Sequence, residues 1–307
     1  MLILFLFLFF TALFIFGMYL LRMGLFLLSG EKLKGIIIQF THTPIHAFIT
    51  GIILTIFLQS SSAVMVITIG LISSQLLTFE RSIGIILGTN IGTTLTTEII
   101  TFPIHSFIPY LAVTGAVLFL FTKERWKYIG LIIFGLATLF TAMGGFDFLA
   151  VPLKQYDLIS HVLNRMNESH LFSVFIGTAI TSIIQSSSAT IGMTMGFLTN
   201  ETLLLPSGIA VMFGANIGTC VTALIACFGA SKESRMCAYA HVWLNVLGVL
   251  LFFPFISILA SFATTLAASP DTQLAHVTVI FNVLCSLVIL PFVKPFSRFI
   301  LTMHRRL

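Results

Sequence analysis

The chain has 307 residues, of which 58% are apolar and only 8% are charged, and its mean hydropathy is +1.10. Soluble domains carry about 25% charged residues, so this composition excludes a soluble globule and indicates an integral membrane protein. The formal net charge of +5 therefore reports orientation in a membrane and does not indicate nucleic-acid binding.

The apolar runs predict an all-α protein with one transmembrane domain, residues 1–307, made of seven full crossings and two broken segments. The first crossing ends at Arg22 and is interpreted as a spanning helix, since no signal-peptide cleavage site follows it. The other crossings are predicted at 82–102, 110–122, 128–146, 203–228, 236–262 and 276–299, the broken segments at 47–77 and 171–198, and a polar linker at 154–170. The four cysteines lie in apolar runs without metal or disulfide spacing and are interpreted as apolar fillers: Cys220, Cys227, Cys237 and Cys285.

Both broken segments carry the same polar quartet, Gln-Ser-Ser-Ser, at Gln59–Ser62 and Gln185–Ser188. One ungapped shift of 126 residues aligns the quartets and five further identities in a twenty-residue window. The same shift places GTNIGTT (88–94) on GANIGTC (214–220), and the first of these motifs is expected to interrupt the crossing at 82–102. The chain is therefore an internal duplication, with repeat 1 predicted at about 36–146 and repeat 2 at about 160–301.

Lysine and arginine placement predicts the topology of this duplication. If each broken segment is a hairpin that enters and leaves on one side, every basic residue except Lys154 and Arg165 falls on the cytoplasmic side. The N-terminus is then outside and the C-terminus cytoplasmic. Three crossings separate the two hairpins, so the repeats are inverted, which is a recurrent plan of secondary transporters.

The broken segments also predict a chemistry. The serines stand where the second arm of each hairpin begins, so they suit helix N-cap positions, and the exposed N–H groups there form an anion site. Carbonyl, amide and hydroxyl oxygens offer ligands for a small cation. No lysine or arginine is predicted in the middle of a span, so bound cations are expected to balance a multivalent anion.

Other roles for these residues stay open at this point. Serine and threonine commonly serve helix packing in membranes, and glycines of the second motif, such as Gly88 and Gly214, suit close helix approach. Glu98 is either a cation ligand or an interfacial residue. His241 and His276 are interpreted mainly as hydrogen-bonded structural groups.

The sequence disfavours two other classes of protein. An intramembrane serine hydrolase would need an activated serine, and no nucleophile elbow or acid partner accompanies the quartets, so the chain is not expected to be an enzyme. A passive anion channel could use the same polar tips. Counterflow distinguishes it from a carrier, because a channel shows no exchange-accelerated uptake.

Paired quartets, each followed by G-x-N-I-G-T, resemble the type II sodium-dependent phosphate cotransporter family, and two later segments beginning Ala-His (240–255 and 275–292) resemble its His and Phe-Asn helices. The resemblance implies sodium-driven phosphate uptake across the cell membrane by a homodimer, with phosphate export as the alternative. It also implies a bacterial member without the C-terminal domain similar to a phosphate-uptake regulator. The first half offers no matching His/Asn helix, since His105 lies in PIHSFIP.

Residue chemistry and resemblance together predict two overlapping ligand sets. The predicted phosphate ligands are Gln59, Ser60, Ser61, Ser62, Asn90, Thr93, Gln185, Ser186, Ser187, Ser188, Asn216 and Thr219. The predicted sodium (Na+) ligands are Gln59, Ser61, Ser62, Thr89, Asn90, Thr94, Gln185, Ser187, Ser188, Asn216, Asn245 and Asn282.

Overall fold

The fold was taken from a computed structural model, which describes residues 2–29 and 39–305. The basic residues Lys32, Lys34 and Arg306, which were used to predict topology, lie outside these ranges. All regular elements in the described ranges are helical, so the predicted all-α class is confirmed. The α-helices are α1 Leu2–Ser29, α2 Pro44–Leu58, α3 Ser61–Ser73, α4 Phe79–Ile99, α5 Ile108–Phe119, α6 Glu124–Lys154, α7 Asp157–Glu168, α8 His170–Ile184, α9 Ser187–Thr199, α10 Leu205–Gly218, α11 Cys220–Ala226, α12 Lys232–Phe252, α13 Ile256–Leu266, α14 Pro270–Ile289 and α15 Val293–Met303.

Five helical stretches of the described chain are long and apolar enough to cross a membrane. They are Leu2–Leu28, Glu124–Lys154, Leu205–Ala226, Lys232–Leu266 and Pro270–Met303. The other two predicted crossings fall on α4 and α5. Helix α4 has sufficient length, 21 residues, but its five threonines lower its apolarity. Helix α5 has only 12 residues, about 18 Å, because it begins beside Pro109 and ends before the charged cluster at 123–127.

Each broken segment is a pair of short helices. Arms α2 and α8 have 15 residues, and arms α3 and α9 have 13. At 1.5 Å per residue each arm is about 20 Å long, which is less than a hydrocarbon core of roughly 30 Å. The arms therefore have the dimensions of a hairpin that reaches membrane depth without crossing.

The two repeats pack alike. A Cβ atom built on Gly88 would lie 2.1 Å from the Phe48 carbonyl oxygen, and one on Gly214 would lie 2.0 Å from that of Val174. Residues 48 and 88 map onto 174 and 214 through the 126-residue shift. Thus α2 packs on α4 as α8 packs on α10, in both cases with backbones in near contact.

Several predicted boundaries are wrong for identifiable reasons. Helix α1 continues through Arg22 to Ser29, because the guanidinium finds a partner inside the protein. The Asn-Ile-Gly motif does not interrupt α4, since its glycines serve close packing, and in repeat 2 the helix breaks only at Thr219. Helix α7 lies in the predicted polar linker, because its apolar face covers α8 and neighbouring helices. The last two spans bend at short 3-10 turns that contain Pro254 and Pro291.

Candidate substrate and ion site

The two hairpin tips meet at one site. Gln59 ends α2 in the left-handed conformation, with φ of 48°, and Gln185 ends α8 in the same way, with φ of 60°. Ser60 and Ser186 follow with extended backbone and cap the next arm, their Oγ atoms accepting from the N–H of Ala63 (3.1 Å) and Ala189 (3.3 Å). The predicted N-cap geometry is therefore confirmed for the first serine of each quartet.

Both glutamine side chains are held in the same way. The Gln59 amide donates from Nε2 to the Ile56 carbonyl (2.8 Å), and its Oε1 accepts from the Thr96 hydroxyl (2.6 Å). The Gln185 amide donates from Nε2 to the Ser182 carbonyl (2.6 Å), and its Oε1 accepts from the Thr222 hydroxyl (2.5 Å). Since a glutamine at positive φ is disfavoured, these paired bonds stabilise the sharp turn between the arms.

Thr96 and Thr222 were absent from the predicted site. Each lies 37 residues after its glutamine, so the 126-residue shift that aligns the quartets aligns them as well. This repeated spacing between a glutamine and a threonine is the sequence signal that could have identified the pair. Both bond a glutamine oxygen, so they position the tips and do not face the pocket directly.

The tips enclose one small polar pocket. It leaves about 10 Å³ for the centre of a water-sized sphere, which is room for about one water molecule. Ten of the twelve predicted phosphate ligands line it, together with one residue that was not predicted. The lining consists of Arg22, Gln59, Ser60, Ser61, Ser62, Thr93, Gln185, Ser186, Ser187, Ser188 and Thr219.

The pocket brings the two halves of the chain into direct contact. Ser62 of the first tip donates from Oγ to the Thr222 hydroxyl at 3.3 Å, and Thr222 in turn holds Gln185 of the second tip. Thr93 and Thr219, which are related by the duplication, both line the same space. The predicted convergence of the two quartets is therefore a feature of the fold.

Charge in this pocket is predominantly positive or neutral. The first turns of α3 and α9 begin at the pocket, and their free N–H groups and helix dipoles place partial positive charge there. Arg22 adds a formal charge, and its Nε donates to the Gln59 carbonyl at 2.8 Å. The expectation that no basic side chain reaches the site is wrong, because α1 extends past Arg22 and brings it beside the first tip.

Two predicted phosphate ligands lie away from the pocket. Asn90 donates to the side-chain oxygen of Asn245 at 3.4 Å, and Asn216 donates to the Met212 carbonyl at 2.9 Å. Asn245 is buried and also donates to the His241 carbonyl. These asparagines link helices or cap carbonyls of their own helix in this conformation.

The remaining predicted sodium ligands are also engaged in local bonds. The hydroxyls of Thr89 and Thr94 donate to carbonyls three residues earlier, and Asn282 donates to the Thr278 carbonyl at 2.9 Å. Their side-chain oxygens keep lone pairs free, because each of these bonds uses only the donor group.

Glu98 and the two histidines have separate environments. Glu98 Oε1 lies 2.9 Å from His276 Nδ1, and this contact joins α4 to α14. Both side chains are about one-third or less exposed. His241 is buried, and neither of its ring nitrogens has a hydrogen-bond partner among the residues that the structure describes, so the hydrogen-bonded role expected for it is not seen.

A larger cavity lies elsewhere and has different chemistry. It measures about 270 Å³ and is lined by residues of α6 to α10 and of the start of α1. Thr190 and Thr194 are its only polar lining residues in the described chain, and both hydroxyls already donate to other protein oxygens. It therefore offers nothing to bind an anion.

The chain is similar to known proteins both as a member of a family and through individual relatives. The sequence profile of the Na+/Pi-cotransporter family matches residues 13–147 and 154–286. YqeW of Bacillus subtilis (strain 168), an uncharacterised protein, is 40% identical over 294 residues, which cover 95% of this chain and 96% of that protein. No solved structure matches this chain.

Two named transport proteins are more distant relatives. YjbB of Escherichia coli (strain K12), described as a proposed inorganic phosphate export protein, is 26% identical over 296 residues. That match covers 96% of this chain and 54% of YjbB, so the chain spans about half of this relative. Sodium-dependent phosphate transport protein 2A of Ovis aries is 37% identical over 78 residues, which are 24% of this chain and 12% of that protein.

Proposed function

The chain belongs to the Na+/Pi-cotransporter family, and from that premise we propose that it is a secondary transporter that couples inorganic phosphate movement to sodium across the cell membrane. The observation that carries the proposal is the convergence of two serine quartets on one polar pocket. The family is one of transporters, so the serines are proposed to bind a passing ion and not to act as nucleophiles.

Phosphate binding follows from the donors that line the pocket. Ser61 and Ser187 are the first residues of α3 and α9, where backbone N–H groups lack intrahelical partners. Together with the serine hydroxyls, these groups surround an anion from two sides. A phosphate dianion would thus be held by two helix N-termini, as phosphates are in many proteins.

Sodium is proposed to bind the oxygen atoms beside this anion. The C-terminal carbonyl of α8 and the serine hydroxyls are hard ligands of the kind that coordinate Na+ at broken helices. The oxygens of four asparagines that do not line the pocket in this conformation are further candidate ligands: Asn90, Asn216, Asn245 and Asn282. The cation would neutralise charge on phosphate, and this mutual attraction is a physical basis for coupling.

Transport requires the pocket to change shape. Room for about one water molecule is too little for phosphate, so binding requires the tips to separate. We propose inverted hairpins, repeat 1 entering from the cytoplasm and repeat 2 from outside, so that movement of each tip opens the pocket to a different side. The N-terminus outside, the cytoplasmic C-terminus and a homodimer complete this proposal.

The direction of transport is the point on which two candidates differ. Sodium-driven uptake is the first, and the partial match to a sodium-dependent transport protein supports it. Phosphate export is the second, and the match to YjbB, which covers 96% of this chain and 54% of YjbB, favours it. A passive anion channel with the same pocket is a separate alternative, which counterflow distinguishes from both carriers.

The test is radiolabelled phosphate flux in proteoliposomes with imposed sodium, potassium or proton gradients. We expect sodium-stimulated flux that shows exchange acceleration in counterflow. The double variant Ser61→Ala, Ser187→Ala should abolish it, while the matched double variant Ser106→Ala, Ser261→Ala, which alters two exposed serines, should not. Undiminished flux in the first variant would reject the site, and sodium-independent flux would reject the coupling. Arsenate and sulfate as competitors identify the preferred oxyanion.

A further inference from the structure

The two hairpin tips differ at one position. The carbonyl of Gln59, at the end of α2, accepts from Arg22 at 2.8 Å. The matching carbonyl of Gln185, at the end of α8, has no hydrogen-bond donor within the described part of the chain. The residue that the 126-residue shift aligns with Arg22 is Phe148, whose side chain is 71% exposed. The arginine is therefore a feature of one tip that the duplication does not repeat.

A carbonyl at the C-terminal end of a helix attracts a cation. It carries the partial negative charge of the helix dipole and has no partner within its own helix. In repeat 1 the guanidinium takes this role, and it holds the carbonyl that an ion would otherwise coordinate. In repeat 2 the carbonyl stays available to an ion from solution.

The guanidinium also has donors to spare. Nε bonds Gln59, whereas the two terminal nitrogens bond no other described residue, and the side chain lines the pocket. Those nitrogens have the geometry that binds phosphate oxygens in pairs. Arg22 can therefore contact the tip and an anion in the pocket at the same time.

We propose that Arg22 is a built-in counter-cation of the first tip, which takes the place of one sodium ion and leaves the second tip as the sodium-dependent half. This inference rests on the proposed function. A bound phosphate carries roughly one to two negative charges at neutral pH. With one charge balanced by Arg22, a single ion at the Gln185 carbonyl is enough to neutralise the pocket.

The test is a sodium titration of the variants Arg22→Gln and Arg22→Lys. Removing a unit charge a few ångström from the anion should weaken apparent phosphate affinity on the order of ten- to a hundredfold in Arg22→Gln. Sodium activation should become steeper, with the Hill coefficient rising by about one, because a second ion now fills the place of the guanidinium. Arg22→Lys keeps the charge and should retain the wild-type sodium curve with a smaller loss of affinity.

Controls separate this role from a structural one. Arg125→Gln removes a charge from an exposed position and should change neither the apparent phosphate affinity nor the sodium activation curve. Inorganic phosphate binding to purified, detergent-solubilised variants, together with their thermal unfolding, reports on a variant that folds but does not transport. A folded Arg22→Gln protein with wild-type phosphate affinity and sodium curve would overturn the inference alone. Wild-type protein that neither binds nor moves phosphate would overturn the proposed function, and the inference with it.

Discussion

Gly88→Ala tests how strongly the position of the first tip depends on helix packing. The added Cβ would lie 2.1 Å from the Phe48 carbonyl oxygen, whereas Cβ atoms essentially never approach closer than 3.0 Å. Helices α2 and α4 must therefore separate by about 0.9 Å. Such overpacking destabilises proteins by about 1–3 kcal/mol.

The same movement reaches the pocket. Thr96 lies just over two turns further along α4 and holds Gln59 at 2.6 Å. A separation of about 0.9 Å would stretch this bond to about 3.5 Å, beyond the usual range for O–H···O bonds, and forfeit about 1 kcal/mol. We therefore expect Gly88→Ala to lower both thermal stability and phosphate affinity, and Gly214→Ala to do the same through repeat 2.

Thermal unfolding in detergent and sodium-stimulated phosphate flux measure the two effects. The matched control is Gly70→Ala in α3, where a built Cβ has no neighbour within 4 Å. That substitution should be neutral or stabilise the helix by up to about 1 kcal/mol. If Gly88→Ala and Gly70→Ala unfold at the same temperature and transport equally, close packing does not set the geometry of the tip.

Two further predictions concern the contacts around the pocket. Thr96→Val and Thr222→Val each leave a glutamine oxygen without its hydrogen-bond donor, which costs about 1–3 kcal/mol. Phosphate titrations should therefore show a loss of affinity that is similar in the two variants. The corresponding Thr→Ser variants keep the hydroxyl and should bind phosphate as the wild type does. Glu98→Gln and His276→Gln each alter the partly exposed contact between these two side chains, which contributes about 0–1 kcal/mol, so unfolding temperature and sodium dependence should change little. Loss of sodium activation in Glu98→Gln alone would instead identify Glu98 as a cation ligand.

Much of the site could be predicted from local sequence signals. The quartet stands at helix breaks because serine caps a helix better than it continues one, and this preference acts within three residues. The duplication repeats this pattern, since Gln59 and Gln185 occupy the same left-handed position at the end of a 15-residue arm. These two facts place both quartets at hairpin tips, and the packing of the two repeats then brings the tips to one pocket.

Contacts between helices distant in sequence could not be predicted in this way. Arg22 was placed at the end of a span because a charge normally marks the edge of the membrane. Its true partner is a carbonyl 37 residues away, and only the packing of α1 beside the first tip brings them together. Asn90 and Asn216 do not line the pocket in this conformation, because their amides bond Asn245 and the Met212 carbonyl, and their role as ligands stays a prediction.

By itself the sequence determined the membrane class, the duplication and the breaks with their serine caps, because these depend on composition, on a repeat and on hydrogen bonds between near neighbours. Tertiary structure alone decided that Thr96 and Thr222 hold the glutamines and that Arg22 reaches the pocket. The physical reason is that a side chain on a long helix can meet any neighbour its rotation allows, and rotation is set by the close approach of glycines such as Gly88 and Gly214 across the whole bundle.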